Sequence, residues 1–451
     1  MTFEPSGGTP VIVDYSPTVS DVGGLMYLLA HPDVEVIAIS LPVTGEAGCD
    51  LGFEVTLGIL AMFGQEEIPV ACDPETPGHA RSWPPEFLEG HENLSFGLPV
   101  STVTVSEERA SDMIARTAKE AGRPVVIYAV APLTNVARAF DDHPDLADVV
   151  ERIVIMGGAV NVPGNVEGAN AEWNLWVDVP AAAAVISSGV PVTLVPLDAT
   201  NFVPIPSWYQ RALSEAQQSD AIVHLDRMVR LFPAVTSGFY FMWDELAASV
   251  AAGETYTTTE QMSIVVVEGG SDDGNTASGE GNRVTVAISV DDPDAFYANF
   301  LTTLAGSPVE VGSAATPEEE AYLTAVQDSF SDLEEAFEVV FSDNPAFSEE
   351  AEFDGPALAE GLNLMMTAMA TSYEIVSDLE PPASLAGIHA SYLSEMMSIV
   401  DAKDELVDAV AAATSLEEVD IIRLTVSFDD ACLPIAEKAG LLGIDLQLPC
   451  G

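Results

Sequence analysis

The stretch "VIVDYSPTVSDVGG", Val11 to Gly24, reads as an apolar β-branched run, an acidic turn and the first turns of a helix. It carries two aspartates, Asp14 and Asp21, with Ser16 and Ser20 between them. Outward from it, from Thr9 to about Leu304, similar runs alternate with helical patterns: "PVIVD", "VEVIAIS", "RPVVIYAVAP", "RIVIMGG", "PVTLVPLD", "SIVVVEGG" and "RVTVAISV". Several are apolar on both faces, as strands covered by helices on each side should be. Strand–helix alternation with short connections implies an open, mostly parallel α/β sheet with helices on both faces. Ligands of such sheets bind beyond the C-terminal ends of the strands. "EGGSDDGNTASGEGNR" (Glu268–Arg283) reads as a long exposed hairpin or loop.

"AGSPVEVGSAA" breaks the alternation, and the chain beyond it is patterned as helix. Thr316 before Pro317 and three glutamates starts a helix. A second covers about Pro356–Leu379, and a third begins after Pro381–Pro382. Ser415 with Glu418 forms a capping box for the last. The expected organisation is an α/β domain over 8–306, a linker over 307–316, and an antiparallel four-helix bundle with a C-terminal tail over 317–451. The bundle methionines, Met365, Met366, Met369, Met396 and Met397, are read as core filling.

At 451 residues the chain is too long for one ordinary core. No apolar run approaches the ~20 residues of a membrane span. "MTFEPSGGTP" lacks the basic start and apolar core of a signal peptide. The expectation is a cytoplasmic chain or a mature form whose leader has been removed. Acidic residues number 72 against 14 basic, a net charge of −58, with Lys119, Lys403 and Lys438 the only lysines. A field of that sign repels nucleic acid and anionic membranes, which excludes both as partners. It fits a solvated acidic surface in salty surroundings, or failing that a cationic partner or loosely held divalent ions. Four cysteines fall into two local pairs, Cys49 with Cys72 and Cys432 with Cys450, which suggests two disulfides and an oxidising compartment. Four reduced, buried thiols are the alternative. Neither pair has zinc spacing. With few lysines, an extracellular or cell-surface address is favoured over a cytoplasmic one.

The opening stretch, "YAVAPLTNVARA" (Tyr128–Ala139), "RIVIMGGAVNVPGN" (Arg152–Asn165) and "NAEWNLWVDVPAAAAVISSGVPVTLVPLDAT" (Asn170–Thr200) resemble the nucleoside hydrolases of the inosine–uridine-preferring type. The resemblance spans nearly all of 9–306, in order, and leaves the bundle outside. It implies cleavage of the N-glycosidic bond of ribonucleosides with one Ca²⁺ at the strand ends. Such an ion holds the attacking water and the ribose hydroxyls. A carboxylate then takes the proton of the water, commonly worth about 10²–10⁴ in rate.

The acidic motif of that family reads Asp-x-Asp-Pro-Gly-x-Asp-Asp; here it reads Asp14-Tyr15-Ser16-Pro17-Thr18-Val19-Ser20-Asp21. By resemblance Asp14 matches the first acid and Asp21 the last, a metal ligand. Ser16 stands at the general base and Ser20 at the acceptor of a ribose hydroxyl. A serine hydroxyl near its free pKa does not replace a carboxylate base unless another base activates it. Thr134 in "APLTN" matches a residue whose carbonyl binds calcium, and Asp244 in "FMWDELA" the C-terminal metal aspartate. Trp243 stands where the family usually has histidine. Glu172 and Asn174 of "AEWN", Asn165 of "PGN" and Met156 of "IMGG" match the substrate-binding side. Asp178 is read as a cap of the helix after it. His91 is read as an exposed loop residue ahead of a substrate contact.

These departures fall on the chemistry and spare the scaffold. They point to a nucleoside-hydrolase-like protein kept as a non-catalytic binding or structural module, with a nucleoside or ribose-like ligand. The alternative is an active, divergent calcium-dependent N-ribohydrolase whose base is Asp14, Glu46 or Glu92. Resemblance also implies a homo-oligomer, with the bundle a candidate assembly surface.

Overall fold

The computed structural model describes residues 7–311 apart from 89–90, 102, 104, 167, 207, 233–234, 236–239, 271, 280 and 310, then 317–329, 355–382 and parts of 389–412. The chain divides into two compact units, residues 1–205 with 210–311 and residues 206–209 with 312–451.

Nine strands form the sheet of the first unit: β1 (Thr9–Asp14), β2 (Val34–Pro42), β3 (Val70–Asp73), β4 (Val125–Ala129), β5 (Val150–Met156), β6 (Val192–Val195), β7 (Thr257–Val266), β8 (Thr276–Ser278) and β9 (Asn282–Val290). Their order is β3-β2-β1-β4-β5-β6-β9-β7-β8. All pairs from β3 through β6 to β9 are parallel, while β7 pairs antiparallel with both β9 and β8. The order reverses direction between β1 and β4, so a crevice opens beyond their C-terminal ends. Asp14 ends β1 there, in register with Ala129 of β4.

The helices used below are α1 (Val19–Ala30), α2 (Gly48–Phe63), α3 (Ala110–Glu120), α4 (Thr134–Asp142), α5 (Trp173–Val177), α6 (Val179–Ile186), α7 (Trp243–Ala252) and α8 (Pro293–Ala305). The central strands are buried along their length, and Ile12, Ile127, Ile153 and Leu194 pack with Met113 and Ile114 of α3 in one continuous core. Apolar burial of this kind is worth roughly 25 cal/mol per Å² and holds the site's scaffold in place.

In the second unit, Gly355–Ser377 packs against both Pro317–Ser329 and Lys403–Ala412. Leu358, Ala359 and Val410 share a small buried cluster. The capping box at Ser415 lies outside the described residues. Among the described residues no helix is long and apolar enough to cross a membrane.

Sequence patterning did not anticipate β3 and β8, and it started β7 late. "TTTEQM" at its start is exposed or half-exposed, because these residues pair with β9 on one side only, β8 reaching no further than Ile264–Val266.

Candidate functional site

The β1–α1 turn is built by its own side chains. Thr18 is extended (φ −124°) at the N-cap of α1, and its Oγ1 accepts from the Asp21 N–H (3.4 Å). In return the Thr18 hydroxyl donates to Asp21 Oδ2 (2.6 Å), and the Ser16 N–H donates to Asp21 Oδ1 (3.2 Å). This is a capping box with aspartate in the third helical position. Both Asp21 oxygens are therefore engaged in holding the turn.

The two serines are engaged as well. Ser16 Oγ accepts from the Ala47 N–H (3.0 Å) in the loop that leads to α2. A methyl on Gly45 would lie 2.2 Å from Ser16 Cβ, so this loop is pressed directly onto Ser16. Ser20 Oγ accepts from the Asp244 N–H (3.0 Å) and donates to Glu245 Oε2 (2.7 Å), tying α1 to the start of α7. Gly23 and Gly24 of the opening stretch make that approach feasible. A methyl at Gly23 would sit 2.5 Å from Glu245 Oε1, and one at Gly24 would sit 2.2 Å from the Tyr128 hydroxyl. That hydroxyl donates to the Asp244 carbonyl (2.9 Å).

Buried acids crowd the crevice. Asp14 is fully buried, no hydrogen bond of ordinary geometry reaches either carboxylate oxygen, and burial pushes its pKa up to about 7. Ser40 and Asn135 beside it act the other way, but the Asn135 amide donates to Ser40 Oγ (2.9 Å). Burial likewise raises Glu245 and Glu46 to about 8, with the Asp21 charge adding to both. Asp21 and Asp244 are both raised by burial, and Asp21 and Glu245 push Asp244 further. Asp244 Oδ1 is buried without a hydrogen-bond partner. His91 is not an exposed loop residue: its side chain is 12% exposed, with Nε2 3.5 Å from Glu46 Oε2.

The opposite wall is satisfied from within. Glu172 is the N-cap of α5 and accepts from the N–H groups of Asn174 (2.9 Å), Gly158 (3.0 Å) and Leu175 (3.3 Å). Burial raises it to about 7, against those three bonds. The Asn174 amide donates to the carbonyls of Val130 (3.1 Å) and Met156 (3.3 Å). Asp178 caps α6 through the Ala181 N–H (3.2 Å), and its other oxygen accepts from the Thr134 hydroxyl (2.7 Å). Asn165 lies exposed on the loop after β5. Trp83 stacks on Trp173 (centroids 5.3 Å) and donates from Nε1 to the Thr44 carbonyl (2.8 Å). Trp243 opens α7 with its ring 4.7 Å from that of Tyr240.

Asp14, Asp21, Asp244, Glu172, Asn174, Met156 and the two serines thus gather around one crevice. Sequence reasoning missed Glu245 and the aromatic wall. The tryptophans of "RSWPPEF" and "AEWNLW" were visible, but nothing local says that they stack.

A calcium ion takes six to eight oxygens. Here Asp21, Ser16 and Ser20 are committed to internal hydrogen bonds and Glu245 is bonded to Ser20, which leaves among these side chains only Asp244 Oδ1 and the two oxygens of Asp14 without a hydrogen-bond partner, fewer than such an ion takes. Among the described residues no three His, Cys, Asp or Glu side chains are grouped so as to hold a metal ion. In this arrangement the residues present do not fit a calcium site.

Of the two disulfides expected from the sequence, one is found among the described residues. Cys49, at the start of α2, is bonded to Cys72 of β3. The bridge anchors the segment directly after the Ser16-covering loop. The expectation of a second bridge, joining Cys432 to Cys450, has no counterpart there, because Cys432 and Cys450 both lie outside the described residues.

A doubly wound sheet with an acid-lined crevice at its switch point defines a class of α/β ligand-binding and hydrolytic proteins. The family model described as inosine-uridine preferring nucleoside hydrolase matches residues 11–298, and the chain belongs to that family. It is 35% identical over 193 residues to the pyrimidine-specific ribonucleoside hydrolase RihA of Salmonella schwarzengrund, covering 43% of this chain and 61% of that protein. The RihA of Shewanella oneidensis is 34% identical over 193 residues, covering 43% and 60% respectively. The chain therefore spans about six-tenths of the length of these relatives. Among solved structures, the purine-preferring ribonucleoside hydrolase of Gardnerella vaginalis aligns with a TM-score of 0.60 at 27% identity, over 66% of this chain and 98% of the other. The inosine-uridine preferring nucleoside hydrolase of Bacillus anthracis shares the fold, with a TM-score of 0.60 at 23% identity over 66% of this chain and 99% of the other.

Proposed function

We propose that the α/β unit binds a nucleoside or ribose-like ligand in this crevice and does not hydrolyse it. The observation that carries the reading is at Ser16. Cleaving an N-glycosidic bond by water needs a base to accept the proton of the water. Ser16 offers a hydroxyl that already accepts from the Ala47 N–H and is covered by Gly45. The nearest acid along the strand, Asp14, is fully enclosed at the end of β1, away from any attacking water. A binding role needs no such base, and the crevice retains acceptors suited to sugar hydroxyls. The second unit is proposed as an assembly surface, and an extracellular address follows from disulfide bonding in a lysine-poor chain.

One observation favours a second reading. Glu46 is half-buried, lies near Asp21 and His91, and has its pKa pushed up to about 8, a setting suited to a general base. In that reading the chain is a divergent hydrolase whose base stands in the loop between β2 and α2 instead of the β1–α1 turn.

The test is ribose release from a nucleoside panel, with millimolar calcium and with chelator, for wild type, Ser16→Asp/Ser20→Asp and Glu46→Gln. Binding without release by wild type, with release gained by the double variant, supports the first reading. Release by wild type that Glu46→Gln abolishes establishes the second.

A further inference from the structure

We propose that a cavity at the N-terminal edge of the sheet is a second ligand site, one that takes a small organic cation. The ligand class is an ammonium group carried on a short aliphatic body. The site lies at the end of the strands opposite the crevice, and it stands whether or not the crevice hydrolyses its ligand.

The cavity measures about 340 Å³, at the small end of ligand sites. Its walls come from the first residues of β1 and β2, the approach to β3, and the C-terminal turn of α3. Pro10, Val36, Ile37, Ile68 and Pro69 make it largely apolar. Three acids, Glu35, Glu67 and Glu120, and two arginines, Arg116 and Arg123, supply its charge.

Both arginines are already held by carboxylates. Arg123 is paired with Glu35 and donates to the Gly8 carbonyl (2.5 Å). Arg116 donates from Nη2 to Glu108 (2.9 Å) and from Nη1 to Glu120 (2.8 Å). Glu67 is different: it is exposed, and no ion pair or hydrogen bond to another described residue holds it. The uncompensated charge of the wall is therefore negative. The carbonyl end of α3 adds a partial negative charge, which favours a cation there. The net charge of −58 draws cations to the whole chain and repels anions.

Charge alone would make only a diffuse attraction, and a second observation localises it. Thr117, in the last turn of α3, lines the cavity at 9% exposure, and its Oγ1 is buried without a hydrogen-bond partner. A helical threonine commonly donates this hydroxyl to the carbonyl one turn back, and here that bond is not made. A wall that served packing alone would gain from valine at this position, since an unpaired buried hydroxyl is a loss. An ammonium N–H entering the cavity meets this oxygen as an acceptor. Its aliphatic body lies on the prolines and β-branched side chains, and Glu67 balances its charge.

The experiment titrates the full chain with n-butylammonium, n-butyrate and n-butanol, followed by saturation-transfer NMR in about 1 M sodium chloride, which screens diffuse attraction. Butylammonium should saturate a single site, with the anion and the alcohol weaker by about tenfold or more. Thr117→Val, nearly isosteric, should weaken butylammonium by about tenfold, and Glu67→Gln by about threefold. Glu260→Gln, which removes the same charge from an exposed position on β7, should leave binding unchanged. Preference for butyrate would show that the guanidinium groups rule the cavity, and it overturns the proposal. Butylammonium binding that Thr117→Val leaves intact, or that Glu260→Gln weakens as much as Glu67→Gln does, places the cation elsewhere and overturns it too. So does the absence of saturation by butylammonium.

Discussion

The two walls of the crevice treat their acids in opposite ways. On the β5–α6 side, Glu172 and Asp178 are embedded in backbone N–H and hydroxyl donors and serve as helix caps. On the β1–α1–α7 side, Asp14 and Asp244 have oxygens that no donor reaches, and Glu245 draws on one serine. The first wall is complete without a ligand; the second holds acceptors in excess of donors. Buried acceptors left unpaired weaken a fold, so their presence on one wall marks where an external donor is expected.

The largest effect that would sharpen this contrast is on pH. The buried carboxyls titrate higher in the folded chain than in the unfolded one, with Glu46 and Glu245 at about 8 and Asp14 and Glu172 at about 7. Between the unfolded values near 4 and these folded values, the native state binds more protons, so stability falls as pH rises. The melting temperature should drop by about 10 °C or more from pH 5 to pH 8. Salt should recover part of it by screening the −58 net charge. A flat thermal profile across that range would mean the acids are already neutralised.

Opening the disulfide comes next. Cys49→Ser/Cys72→Ser releases a bridge across a sequence separation of 23, with a cost of about 3 kcal/mol in urea unfolding. Hydrogen exchange should quicken over residues 43–49 and stay unchanged over 172–178. Equal loosening of both walls would erase the distinction drawn between them.

Glu172→Ala strips an acceptor from three N–H groups and should lower stability by about 2 kcal/mol. Ser20→Ala strands the Asp244 N–H and Glu245, with an expected loss of about 1 kcal/mol. Smallest of all, Asp244→Asn replaces a buried carboxyl that has no hydrogen-bond partner at Oδ1. It should leave stability at pH 8 within about 0.5 kcal/mol of wild type or raise it slightly. A large loss there would show that Asp244 is as satisfied as Glu172.

The central strands were legible because residues such as those of "PVIVD" and "RIVIM" are apolar on both faces, a pattern that only a covered sheet uses. β3 and β8, at four and three residues, are too short to carry a period. The motif stretch carries Asp14 and Asp21, and the β1–α1 turn that places them is a local construction capped by Thr18. It could not reveal the partners of the serines. Ser20 and Glu245 are 225 positions apart, and Ser16 meets Ala47 only because α2 is anchored beside it. Likewise the contact between Glu46 and His91 comes from two loops packing over one crevice. Pairings of that range belong to the fold rather than to any segment of it.

The glycine at position 23 makes two distant positions answer to one another. A methyl there would meet Glu245 Oε1 at 2.5 Å, so α1 and α7 share the Ser20–Glu245 hydrogen bond only while that position stays bare. An aspartate placed at position 20 with Glu245 retained would set two acids against each other in a dry pocket, and removing Glu245 alone would leave the Ser20 hydroxyl without its acceptor. Residues 20 and 245, at opposite ends of the unit's sequence, are one site for any redesign and can be exchanged only as a pair.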